Sequence, residues 1–297
     1  MGFKEFYYSF WQNIDKKNNI TYNKKTKALP NDIKHVKNIS YGDHGDYNKL
    51  DLFYPKKCHK KLPVIVNFHG GGYVSGDKKF SEEFCAEYAK AGFAVINANY
   101  RLMAKDVDFM ASLSDAYDAL KFSIKMLKKY DIALTDDIIL MGDSSGAHIA
   151  SLLACINSSR ILREIYKFNR TFKIKACIFN SPVFEMHKVK LFPFPTQFKD
   201  KLSYYSLTSA IKQLKSNFPP CVVISSKYDP LRSQTDRFIK ACNKKNINVK
   251  LVPIDILKDL GHSANITYFK VKKSIKINNA VREHIKNLLK SECEEKN

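Results

Sequence analysis

Short apolar runs bounded by glycine, proline and polar residues recur along the chain. Pro63-Val64-Ile65-Val66-Asn67-Phe68, Phe93-Ala94-Val95-Ile96-Asn97-Ala98, Ile138-Ile139-Leu140-Met141, Ile174-Lys175-Ala176-Cys177-Ile178-Phe179, Cys221-Val222-Val223-Ile224-Ser225-Ser226 and Val249-Lys250-Leu251-Val252-Pro253-Ile254 have the length and apolar continuity of buried strands. Residues 36–54 read as two strands joined at the Gly42-Asp43-His44-Gly45 turn. Between these runs the apolar spacing changes to that of helices. Helices are expected near 80–91, over about 107–129, from Ala147 onward, near 231–245 and near 278–290. In the second of these, Leu113, Ala116, Tyr117, Leu120, Ile124 and Leu127 share one face. Strands alternating with helices imply an α/β fold, with a mostly parallel sheet covered on both faces.

Two segments fall outside this alternation, residues 1–35 and residues 184–218. Neither is low in complexity, and no internal repeat or linker divides the 297 residues, so a single domain over 1–297 is expected. The N-terminal apolar run is interrupted by Lys4, Glu5, Gln12 and Asn13, which is neither a signal peptide nor a membrane span. Seven scattered cysteines make no disulfide framework and no zinc spacing, and Cys155, Cys177 and Cys221 fall in apolar stretches as small buried residues. A reducing, cytoplasmic setting follows. The formal charge of +21 comes from lysines spread over the whole chain. Scarce arginine and abundant asparagine favour a solvated lysine surface over a nucleic-acid partner.

The candidate chemistry lies where strands end. Gly142-Asp143-Ser144-Ser145-Gly146 follows one strand run and opens a helix, the context of a Gly-x-Ser-x-Gly nucleophile elbow. Its glycines relieve crowding in the turn, and the helix N-terminus favours developing negative charge on Ser144. His69-Gly70-Gly71-Gly72 follows another strand run. Glycines there let backbone N–H groups reach a cleft, so Gly70 and Gly71, with the N–H of Ser145, are the expected oxyanion donors. Asp229 ends the run over 221–226, just before Pro230. It can cap the following helix or serve as a catalytic acid, and the two roles can use different atoms. His262 follows Gly261 in a loop after the last strand. The order Ser144, Asp229, His262 is that of the α/β hydrolases. His148 is expected to pack within its helix, and no clustered metal ligands are evident, so neither metal nor cofactor is expected.

Together, His69-Gly70-Gly71-Gly72-Tyr73, Asn99-Tyr100-Arg101-Leu102, Gly142-Asp143-Ser144-Ser145-Gly146, Asp229-Pro230-Leu231 and Gly261-His262 resemble the α/β-hydrolase superfamily, in particular its hormone-sensitive-lipase-like and acetyl-esterase-like carboxylesterases. The resemblance runs from about residue 40 to the C-terminus. It implies a cofactor-free esterase for small ester substrates of short acyl chain, with a homodimer as an allowed assembly. It also implies that residues 1–35 and 184–218 form a cap, and that Tyr73, Phe192 and Phe194 line the substrate pocket. Two other readings share the fold: an arylformamidase or other amide hydrolase, and a non-catalytic ligand-binding relative. The second is weakened by the presence of His262.

Overall fold

The computed structural model describes residues 3–24, 29–57, 61–104, 106–129, 132, 134–189, 201–254 and 261–294. A long helix, α1 (Phe3–Lys24), opens the chain. An antiparallel pair follows, β1 (Ile33–Ser40) and β2 (Lys49–Pro55), and then β3 (Leu62–Phe68), α2 (Glu82–Lys90), β4 (Ala94–Ala98) and α3 (Phe109–Lys129). The second half begins with β5 (Leu134–Asp143), α4 (Ser145–Asn157), α5 (Arg160–Tyr166) and β6 (Lys173–Asn180). It continues through α6 (Lys201–Leu207), α7 (Ala210–Gln213), β7 (Cys221–Ser225), α8 (Arg232–Asn243), β8 (Val249–Pro253), α9 (Ala264–Thr267) and α10 (Lys272–Glu294).

The eight strands form one sheet in the order β1-β2-β4-β3-β5-β6-β7-β8. β2 runs antiparallel to both neighbours, and every pairing from β4 to β8 is parallel. Strict side-chain alternation divides the core into two layers. Val64, Val66 and Phe68 of β3, with Ile138 and Leu140 of β5, face a layer completed by Leu113, Ala116 and Leu120 of α3 and by Leu152 of α4. Ile65, Ile139 and Met141 face the other, against Phe84 and Tyr88 of α2 and Val281 and Ile285 of α10. A strand buried on both faces needs a continuous apolar run, which is why these runs are legible in the sequence. Each expected strand and helix has its counterpart, and helices α1, α5, α6, α7 and α9 are additions to the expected set.

The segment 184–218 packs inward where it is described. The Phe184 ring stacks on Phe238 of α8 with centroids 3.8 Å apart and meets Phe179 edge-on at 5.5 Å. Tyr204 and Phe218 are buried, and Thr208 and Ala210 bond to His148 and Cys155 of α4. The expected pocket residues Phe192 and Phe194 lie outside the described residues. Cys85, Cys155, Cys177, Cys221 and Cys242 are buried free thiols. Among the described residues no helix is long and apolar enough to cross a membrane.

Candidate active site

Ser144 sits at the junction of β5 and α4 with φ 51° and ψ −117°, a conformation that a residue with a Cβ rarely adopts. Its surroundings hold it there. Ser144 N–H donates to Asn180 O at 2.9 Å, and Val183 N–H donates to Ser144 O at 3.2 Å. The flanking glycines are obligatory: a Cβ on Gly142 would stand 2.5 Å from the Gly146 carbonyl, and one on Gly146 would stand 2.1 Å from Phe68 O. The turn thus needs both glycines because α4 starts almost against the end of β3.

The glycine loop after β3 is held from three sides. Tyr100 Oη donates to His69 O at 2.6 Å and stacks its ring on His69 at 4.5 Å. Gly71 has φ +138°, and a Cβ there would lie 2.0 Å from Ser75 O. Gly70 N–H donates to Asp143 Oδ1 at 2.9 Å. That bond corrects one expectation. The Gly70 donor is committed to a carboxylate, so it is not free for an oxyanion. The N–H groups of Gly71, Gly72 and Ser145 have no hydrogen-bond partner among the described residues.

Asp143 is half-buried at the cavity wall, and desolvation pushes its carboxyl up to about 6; the Gly70 N–H, the charge of His262 and a hydrogen bond from Ser263 pull the other way. Asp229 lies just beyond the end of β7. Its Oδ1 accepts from Leu231 N–H at 2.8 Å and pairs with His262 Nδ1 at 3.1 Å. Capping and histidine contact therefore share one oxygen. Burial acts to raise the Asp229 carboxyl, but the bond and charge of His262 outweigh it and leave it below its ordinary value. For His262, burial disfavours the imidazolium, while the Asp229 hydrogen bond and charge, helped by Asp143, prevail and raise it above its ordinary value. Because Nδ1 faces a carboxylate, it carries the proton and leaves Nε2 as the basic nitrogen.

Ser144 and His262 line one cavity of about 370 Å³ with Gly70, Gly71 and Asp143. Its other walls come from two places. Trp11, Ile14, Asp15 and Asn18 of α1 form one, and Phe80, Phe84, Ile266 and Phe269 contribute the apolar remainder. Helix α1 is fastened over the glycine loop: Tyr7 Oη donates to Gly72 O at 2.9 Å, and Asp15 Oδ1 accepts from Gly76 N–H at 3.1 Å. The part played by Trp11 and its neighbours carries no sequence signal beyond an interrupted apolar pattern.

Tyr73 does not line this cavity. It is 1% exposed, and its hydroxyl meets His148 Nδ1 at 2.8 Å inside the core. His148 Nε2 lies 2.7 Å from Thr208 O, so Nε2 carries the proton and Nδ1 accepts from Tyr73. Burial holds the His148 imidazole down to about 4. Its expected packing role is met, with hydrogen bonds on both nitrogens. His35, Asp51 and Glu82 form a cluster outside the cavity lining, where Lys78 Nζ lies 2.8 Å from Asp51 Oδ1 and Lys37 Nζ 3.2 Å from Glu82 Oε1. Those lysines already supply the positive charge that the carboxylates require.

Residues 50–241 match the model of the BD-FAE family. Over 197 residues the chain is 29% identical to an esterase of Gibberella moniliformis, a match covering 58% of each chain. It is 31% identical over 106 residues to esterase LipI of Mycobacterium tuberculosis, which covers 35% of this chain and 32% of that protein. The chain thus spans about a third to somewhat over half the length of these curated relatives. In three dimensions it is similar to esterase B of Lactobacillus rhamnosis, solved with a tributyrin phosphonate inhibitor, with a TM-score of 0.85 at 23% identity. That match covers 99% of this chain and 97% of the solved one and shows a shared fold.

Proposed function

Because this chain belongs to the BD-FAE family of α/β hydrolases, we propose that it is a serine carboxylesterase for short-chain acyl esters, with Ser144, His262 and Asp229 as its catalytic triad. Ser144 Oγ attacks the ester carbonyl while His262 Nε2 accepts its proton. Asp229 keeps the imidazole in the required tautomer and stabilises the imidazolium. The oxyanion of the tetrahedral intermediate is received by the N–H groups of Gly71, Gly72 and Ser145. Collapse expels the alcohol, protonated by His262, and leaves an acyl-enzyme. A water deprotonated by the same imidazole then releases the acid.

One observation carries this reading: His262, in contact with Asp229 at 3.1 Å, lines the same cavity as a serine held in a strained elbow. Strain at a non-glycine residue costs free energy, and such conformations cluster at sites where the strained residue is used. The partly apolar cavity of about 370 Å³ has room for an acyl group beside Ser144. Helix α1 acts as the cap of the site.

The test is covalent. A fluorophosphonate probe is expected to label Ser144, and Ser144→Ala is expected to lose both labelling and ester hydrolysis while keeping its melting temperature. Labelling of Ser145, or hydrolysis persisting in Ser144→Ala, would overturn the assignment. N-Formylkynurenine, assayed beside the esters, separates ester from formamide hydrolysis.

A further inference from the structure

The chain contains one tryptophan, and it stands at the cavity. The indole of Trp11 fills the space that a side chain on Gly72 would need, with Cε2 2.3 Å and Nε1 2.6 Å from the site of a Cβ. The neighbouring Tyr7 ring lies 6.2 Å away, and its hydroxyl is bonded to the Gly72 carbonyl. The indole is therefore clamped against the glycine loop.

Its nitrogen is unsatisfied. Trp11 Nε1 is shielded from solvent and has no hydrogen-bond partner among the described residues. Buried indole N–H groups ordinarily find a partner, because leaving a donor unpaired away from water is costly. A phenyl ring could fill much of the same space without that cost. The indole N–H only donates, so its partner must be an acceptor, and an uncharged ester offers one in its carbonyl or ester oxygen. Asp15 and Asn18 extend the same helical face along the cavity at spacings of four and three residues, so this wall is polar while Ile266 and Phe269 supply an apolar one.

We propose that Trp11 is a substrate-binding residue whose indole N–H donates to an oxygen of the bound ester beside the Gly71–Gly72 loop. The inference rests on the esterase reading given above. It makes helix α1 a direct contributor to binding, and it explains why the third glycine of the loop must lack a side chain.

Because Trp11 is the sole tryptophan, its indole can be replaced throughout the protein by benzothiophene, which keeps the shape and removes the N–H. The value of kcat/KM for p-nitrophenyl butyrate is then expected to fall about five- to tenfold, the effect of one uncharged hydrogen bond, with the melting temperature unchanged or higher. Trp11→Phe is expected to lose activity in the same direction. In the native protein, the emission of Trp11 is expected to change when the fluorophosphonate is attached to Ser144. If Ser144 is labelled but the emission stays constant and the benzothiophene protein keeps kcat/KM within about twofold, Trp11 only packs against Gly72 and the inference fails. A melting temperature that falls in step with activity overturns it equally. Failure to label Ser144 would overturn the esterase reading, and this inference with it.

Discussion

Asp143, the residue just before the proposed nucleophile Ser144, accepts the Gly70 N–H at 2.9 Å and so joins the elbow to the glycine loop across 73 residues of sequence. The carboxylate occupies the space beside Gly70 so closely that a Cβ there would stand 2.4 Å from Asp143 Oδ2. Position along the loop is thereby transmitted to the next two N–H groups, those of Gly71 and Gly72. Asp143→Ala is expected to lower kcat by about a hundredfold, since displacements of about 1 Å near reacting groups have effects of that size. Asp143→Asn keeps an acceptor for Gly70 and is expected to retain most of the rate. Steady-state kinetics of the two variants check this, and equal losses would mean that the charge, not the bond, matters.

The protonation of His262 gives a signed expectation. In the proposed mechanism the imidazole must be neutral to take the serine proton, and against the lowering effect of burial its pKa is raised by Asp229 and, to a lesser degree, Asp143. Activity should therefore rise with pH through an apparent value above that of an ordinary histidine, about 6.5. In Asp229→Asn the opposing effect of burial is left less compensated, and the His262 titration is expected to move downward. NMR titration of His262 in the Ser144→Ala background reads both values, and an unchanged midpoint in Asp229→Asn would contradict the pairing.

Contact between Trp11 and Gly72 predicts an energetic coupling. Gly72→Ala places a Cβ 2.3 Å from the indole at a φ of +59°. The backbone conformation by itself costs about 1–2 kcal/mol for a residue with a side chain, and displacement of α1 adds to that. Trp11→Ala is expected to recover the steric part but not the backbone part. Denaturant melts of the two single variants and the double variant should show a coupling of at least about 0.5 kcal/mol. Strict additivity would mean that α1 does not rest on the loop.

Tyr73→Phe separates stability from specificity. Removing the hydroxyl strands His148 Nδ1 in a fully buried site, at a cost of about 1–3 kcal/mol. Because Tyr73 points into the core, relative kcat/KM values across an acyl series should stay unchanged. A shift in chain-length preference would place Tyr73 at the pocket after all.

Acyl selectivity tests the short-chain reading. Each added methylene that fits contributes about 0.8 kcal/mol of transfer free energy, so kcat/KM should climb from acetate and fall once the roughly 370 Å³ space is filled. A maximum at butyrate or shorter is expected with p-nitrophenyl esters. A maximum at octanoate or longer would point to a lipase.

What the sequence by itself determined is the set of strands, their buried faces and the residues at their ends. The runs of β3, β5, β6 and β7 are predominantly apolar because each is covered on both sides, and a residue pattern of that kind is visible without any knowledge of partners. The elbow was legible for a related reason. Gly142 and Gly146 answer a steric demand made within a few residues of themselves and by the end of β3, and only glycine satisfies it. Asp229 and His262 could be placed because each follows a recognisable strand or glycine.

The tertiary structure decided everything that depends on which distant groups meet. Gly70 and Gly71 are alike as letters in a sequence, yet one N–H is bound by Asp143 and the other is left open. Tyr73 follows the glycines as a pocket residue might, but a positive φ of 68° and the buried His148 turn it into the core. Helix α1 has too weak an apolar stripe to announce a partner; its place over the cavity is set by Tyr7, Trp11 and Asp15 meeting backbone more than 60 residues away. Periodicity reports the face that an element buries, whereas hydrogen bonds between loops are formed only after the sheet has brought their ends together.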